Sequence, residues 1–206
     1  MSVSGTEGYA DQAPSLVKRY DNLAFAEVHR PVLHLIPDTP GDVADIGAGT
    51  GRDAAYLAEM GHRVVAVEPT RELRLPGMAL HPSPRITWLD DSLPNLAVLR
   101  ARRATFDLVM LTAVWMHLDE RQRRHAMPIL ASLLRRGGTM IMSLRHGRVP
   151  PGRRMFEVSA AETAELVWAH GLAVVLNLVS ESADEENRRA GITWTRLALV
   201  KAAEQP

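Results

Sequence analysis

The run Val43-Ala44-Asp45-Ile46-Gly47-Ala48-Gly49-Thr50-Gly51-Arg52-Asp53 decides how this chain is read. A short apolar segment ends, three glycines alternate with other residues, and a helical pattern opens at Ala54-Ala55-Tyr56-Leu57. That order describes a buried strand, a tight turn and a helix N-terminus. Glycines at 47, 49 and 51 permit positive φ and let a ligand come close to the backbone. The first turn of the helix points its free N–H groups at the same place. About 20 residues on, a second apolar run, Val64-Val65-Ala66-Val67, ends in Glu68, the spacing at which an acid grips a ribose.

Working outward, strands and helices alternate. The first strand covers 42–46, and its helix stops at Gly61, a C′ glycine. A strand at 63–67 precedes a helix at 70–80, and His81-Pro82-Ser83-Pro84 is a loop. Strands follow at 85–89 and 106–111. Asp119 with Gln122 opens a helix that runs to Arg136 and stops at Gly137-Gly138. A strand at 139–143 comes next. Ser159 and Glu162 read as a capping box for a helix ending at Gly171. Two last strands, 173–179 and 193–200, are joined by a charged loop, 180–190. The pattern predicts an α/β fold: a doubly wound, Rossmann-like sheet of seven strands with helices on both faces. The sheet is mostly parallel with an antiparallel last strand, because no helix-length pattern separates the final two. Ahead of this unit, 1–14 is Ser-, Gly- and charge-rich and expected to be mobile. A single domain then spans 15–206, with N-terminal cap helices over 15–40 and a loop on the substrate side over 145–158.

The composition narrows the function. The 206 residues are 46% apolar and 23% charged, ordinary for one globular domain. Twenty-four acidic residues balance 24 basic ones, so no global field draws the chain to nucleic acid or to an anionic membrane. The absence of cysteine excludes disulfides, thiolate metal sites and a cysteine nucleophile. No apolar run approaches the ~20 residues that span a bilayer. The start of the chain lacks the basic-then-apolar pattern of a signal peptide. A cytoplasmic location, as monomer or homodimer, is the expectation. No His/Asp/Glu grouping has metal-ligand spacing, so no metal is expected.

The glycines run G-x-G-x-G, not G-x-G-x-x-G, and Asp45 stands two residues before the first of them. Asp45-Ile46-Gly47-Ala48-Gly49-Thr50-Gly51, with Glu68, resembles the class I S-adenosylmethionine (SAM)-dependent methyltransferases, and the resemblance extends from about Tyr20 to Lys201. It implies a cofactor site made of Asp45, Gly47, Ala48, Gly49, Thr50, Arg52, Asp53, Glu68, Pro69, Leu111 and Thr112, with SAM as methyl donor and S-adenosylhomocysteine as product. An acid after the third strand, Asp90 or Asp91, is implied to face the adenine amino group; either one instead caps a helix opening near Pro94. Tyr20 closes the pocket or packs on the sheet. The base-methylating N-P-P-Y or D-P-P-Y motif is missing after the fourth strand, so the resemblance is to small-molecule methyltransferases, acting on an O, N or S nucleophile.

In ligand-binding α/β sheets the carboxyl ends of the strands form the site. There, Trp115 either offers a cation–π face to the sulfonium or fills the core. His117 and His146 are candidate bases and alternatively structural histidines. Arg145 heads a basic loop, with Arg148, Arg153 and Arg154, able to clamp an anionic acceptor or simply be solvated. Two other readings are a non-catalytic SAM-binding regulator and an NAD-dependent oxidoreductase on a similar scaffold.

Overall fold

The computed structural model describes residues 4–202. Seven strands form one sheet in the order β3-β2-β1-β4-β5-β7-β6. They are β1 (Asp42–Ile46), β2 (Arg63–Val67), β3 (Ile86–Leu89), β4 (Phe106–Leu111), β5 (Leu134–His146), β6 (Leu172–Glu181) and β7 (Thr193–Lys201). β1 to β5 pair in parallel, while β7 lies antiparallel between β5 and β6. The order reverses between β1 and β4, which opens a crevice beyond their carboxyl ends.

Period-two alternation sorts the strand residues into two cores. Ala44, Ile46, Val109, Leu111, Met140 and Met142 face one side, under α6 (Glu120–Leu133) and α7 (Ala160–Trp168). Val43, Val64, Leu108, Met110 and Ile141 face the other, where Phe25 of α2 (Phe25–Val28), Val32 of a 3-10 turn (Arg30–Leu35) and Leu57 of α3 (Arg52–Glu59) cover them. The remaining helices are α1 (Tyr9–Asp21), α4 (Arg71–Leu80), α5 (Ala97–Ala101) and α8 (Glu185–Arg189). No helix among the described residues is long and apolar enough to cross a membrane.

Four boundaries depart from the sequence reading. The first helix begins at Tyr9, not Ser15. Of the stretch expected to be mobile, residues 1–3 lie outside the described part; from Tyr9 it is helical, and Ala13, with Leu16 just beyond it, buries against Leu73 of α4. α6 ends at Leu133, and Leu134 to Arg136 already belong to β5. Arg135 explains this, because its guanidinium bridges Asp107 and Asp42, each at 2.5 Å, which holds it at the sheet. Gly137, at φ 74°, then sits where the β4–β5 register shifts, so the glycine pair serves a bulge and not a helix stop. Pro94 does not open a helix; Leu96 first turns left-handed at φ 45°, and α5 begins at Ala97. Finally, the charged 180–190 loop contains α8, capped by the Asp184 carboxylate on the Asn187 N–H at 2.8 Å.

Candidate active site

The glycine loop folds over the end of β2. The N–H groups of Gly47 and Ala48 both donate to the Val67 carbonyl, at 2.8 and 3.0 Å. Gly47, Gly49 and Gly51 take φ of 74°, 58° and 83°, so the turn needs glycine at all three. A fourth glycine supports it from outside. A Cβ on Gly77 of α4 would stand 2.6 Å from the Thr50 carbonyl oxygen and 2.8 Å from the Trp88 ring. Alanine inside a helix usually gains stability over glycine. Here the clash decides the sign: Gly77→Ala should cost about 1–3 kcal/mol, read by urea denaturation. A stability equal to or above wild type would mean that α4 is free to move off the loop.

Three carboxylates gather under this loop. Glu68 is buried, and its two oxygens accept the N–H groups of Gly49 at 2.9 Å and Thr70 at 2.7 Å. Burial raises its pKa, against the pull of those bonds. Asp45 at the end of β1 is also buried, and its Oδ2 has no hydrogen-bond partner. Burial, and then the neighbouring Asp53 charge, push Asp45 well above the usual carboxylate range. Asp53, in the first turn of α3, goes the other way. Burial opposes its charge, but Arg52, His29 and Thr112 outweigh burial and hold it far below the usual range. Its Oδ2 accepts from the Thr112 hydroxyl and meets His29 Nε2, both at 2.8 Å, while Arg52 Nε donates to Oδ1 at 2.7 Å.

These groups form one wall of a cavity of about 320 Å³ at the carboxyl ends of the strands. The opposite wall brings α1 to the 145–158 loop. The Tyr9 hydroxyl lies 2.9 Å from His117 Nε2, and His117 Nδ1 lies 2.9 Å from the Arg154 carbonyl. A carbonyl only accepts, so Nδ1 carries the proton and Nε2 accepts from Tyr9. Burial lowers the His117 pKa, which favours this neutral tautomer. Arg153 stacks over the Tyr9 ring, 3.4 Å from its centroid. Arg19 of α1 grips Asp184 with two bonds, at 2.7 and 2.6 Å, and so ties α1 to the β6–β7 connection.

Of the residues expected at the site, Tyr20, Asp45, Gly47, Ala48, Gly49, Thr50, Arg52, Asp53, Glu68, Pro69, Asp91, Thr112, His117 and Arg145 line the cavity. Four do not. Trp115 is completely buried in the core beneath α6, the bulk-packing alternative. Leu111 points into the same core, because the alternation of β4 turns it away from the cavity. Asp90 turns outward to Arg74 at 2.6 Å. His146 bonds Thr195 across the β5–β7 pair at 2.7 Å. Asp91 lines the cavity, and its oxygens hold the N–H groups of Ser92 and Leu99 at 2.9 and 2.8 Å.

Tyr9 and Arg196 were missed and both line the cavity. Tyr9 carried a signal, since Tyr9, Ala13, Leu16 and Tyr20 fall on one helical stripe. Arg196 interrupts the apolar run Trp194 to Val200, which is a signal too. Among the described residues, no group of three or more His, Asp or Glu side chains is placed to hold a metal ion.

Comparison with known proteins agrees with this geometry. Residues 43–138 match the family model of a methyltransferase domain. Its seven-stranded sheet and glycine loop give the chain the fold of the SAM-dependent methyltransferases on which it superposes. A protein described as an uncharacterized methyltransferase from Alkaliphilus oremlandii is 25% identical over 138 residues, which are 60% of this chain and 61% of that protein. The match therefore spans less than two thirds of the relative's length. The structure of 1,6-didemethyltoxoflavin-N1-methyltransferase from Burkholderia thailandensis superposes with a TM-score of 0.70 at 21% identity, covering 98% of this chain and 92% of that one. Magnesium protoporphyrin IX methyltransferase from Synechocystis superposes at 0.63 and 17% identity, covering 95% and 80%. At these identities the two structures speak for the fold.

Proposed function

We propose that the cavity binds SAM and that the chain transfers its methyl group to a small-molecule acceptor. The observation that carries this is the buried, unpartnered Oδ2 of Asp45 beside the glycine cradle. An acceptor atom left bare in the interior calls for a donor from a ligand. A cationic ligand also answers the raised pKa of Asp45, because it favours the charged carboxylate. The amino group and sulfonium of SAM are such a ligand. Glu68 fits the same reading: each oxygen spends one acceptor site on the backbone and keeps another for a ribose hydroxyl. Asp91 lines the cavity beyond β3, which supports a contact with the adenine edge.

Bound SAM supplies an activated methyl group, so the protein's task is alignment and exclusion of water. α1 and the 145–158 loop close over the cavity and perform the second part. When the acceptor atom carries a proton, Tyr9 and His117 take it: the acceptor gives its proton to the Tyr9 oxygen while Tyr9 gives its own to His117 Nε2. The Arg154 carbonyl then holds the Nδ1–H of the imidazolium. Tyr9→Phe is expected to lower kcat by roughly 10²-fold and leave S-adenosylhomocysteine affinity unchanged. Because burial lowers the His117 pKa, turnover should hold as pH falls through the ordinary imidazole range and drop only below it. An unchanged kcat would reduce the pair to packing.

Calorimetric titration with SAM, S-adenosylhomocysteine and NAD tests the proposal. Micromolar binding of the two sulfur ligands, weakened at least tenfold by Asp45→Asn, supports it. Preference for NAD, or no binding, overturns it.

A further inference from the structure

Arg196 lies in the middle of β7, opposite Ser143 of β5 and Leu178 of β6, and is 4% exposed. Its guanidinium makes no hydrogen bond or ion pair among the described residues, and its Nε is buried without a partner. Arg123 is equally buried and shows what completion looks like: Glu162 takes two of its nitrogens, at 2.9 and 2.8 Å, and the Leu118 carbonyl takes a third at 2.5 Å. Nothing comparable is left for Arg196. Asp53 attracts it, but Arg52 repels it, and the Asp53 oxygens are already taken by Arg52, His29 and Thr112. Burial pushes the Arg196 pKa down to about 10, so the group stays charged at neutral pH.

A buried cation without a counter-ion is costly, and an apolar side chain of similar size would remove the cost. The charge also faces the ligand cavity. A planar fork of donors matches a carboxylate, which can accept two of them at once. We propose that Arg196 seats a carboxylate inside the cavity, carried either by the methyl acceptor or by the amino-acid end of SAM. The choice between the two sources rests on the SAM reading above; the anion seat does not.

Thermal unfolding in formate, against chloride at equal ionic strength, tests this. Formate is small enough to reach the seat whatever the shape of the natural ligand. In wild type it should raise Tm by about 2–4 °C more than chloride. In Arg196→Met that difference should vanish, while the variant without anion unfolds at or above the wild-type Tm. Arg196→Lys keeps the charge without the fork and should retain a reduced formate response. Repeating the scans with saturating S-adenosylhomocysteine identifies the source. A formate response that persists assigns the carboxylate to the acceptor; one that disappears assigns it to the cofactor. If S-adenosylhomocysteine does not bind at all, the SAM reading fails while the first comparison still stands. No formate response in wild type, or the same response in wild type and Arg196→Met, overturns the proposal. So does an Arg196→Met protein of lower Tm with the response intact, which would make the arginine structural.

Discussion

Glu68→Ala is expected to weaken S-adenosylhomocysteine binding by roughly 10²–10⁴-fold, the value of two hydrogen bonds to a charged group at about 1.5–3 kcal/mol each. The substitution removes the ribose acceptors that we assign to this residue. It also strips the Gly49 and Thr70 N–H groups of their partner, loosening the loop that must hold the rest of the ligand. Glu68→Gln is not expected to rescue binding. Either orientation of the amide sets its NH₂ against one of those backbone donors. The pH dependence has a definite sign. Burial raises the folded pKa of Glu68, so its ionisation costs stability as pH rises through that value. Ribose hydroxyls favour the charged form, so binding should tighten over the same rise and release protons below it. Calorimetry in two buffers of different ionisation enthalpy measures both. Affinity within a few fold of wild type for Glu68→Ala would leave the residue as a brace for the loop and nothing more.

The strand–glycine–helix unit and Glu68 were legible because each rests on local chemistry. Positive φ demands glycine, an acid at a strand end faces the crevice, and apolar runs mark buried strands. Seven strands and an antiparallel β7 followed from the spacing of those runs. What failed depended on contacts between distant residues. The end of α6 is set by Arg135 reaching Asp42 and Asp107, neither of which is near it in sequence. Trp115 and His117 are two residues apart, yet one enters the core and the other the cavity. The short 3-10 turn 115–117 swings them apart, and a strand-end pattern cannot show that. Asp90 and Asp91 were indistinguishable until Arg74 claimed the first. The polar composition of the N-terminus masks Tyr9, although the helical stripe of Tyr9, Ala13, Leu16 and Tyr20 is present in the sequence.

Asp53→Asn is expected to cost about 3–5 kcal/mol of stability, because it breaks a buried ion pair from one side. The carboxylate holds three elements together: His29 after α2, Arg52 at the start of α3 and Thr112 after β4. An amide keeps the volume but not the charge, and its NH₂ must face a donor. The pH profile separates this from ordinary packing loss. The folded pKa of Asp53 is depressed, so its contribution is fully present above the unfolded value of about 3.9 and is lost only as pH falls below that. The gap between wild type and variant should thus stay constant from pH 7 to about pH 4.5 and close below it. Asp45 predicts the opposite. Its raised pKa means that Asp45→Asn gains on wild type as pH rises, where the wild-type protein must ionise a buried acid without a ligand. Two neighbouring carboxylates with opposite profiles are a consequence of one arrangement: Asp53 carries the counter-charge for Arg52 and the hydrogen bonds of His29 and Thr112, which leaves Asp45 with an oxygen free for a ligand. If Asp53→Asn unfolds within 1 kcal/mol of wild type at pH 7, a difference too small for a broken buried pair, that division of labour is wrong, and the bare oxygen of Asp45 loses its explanation.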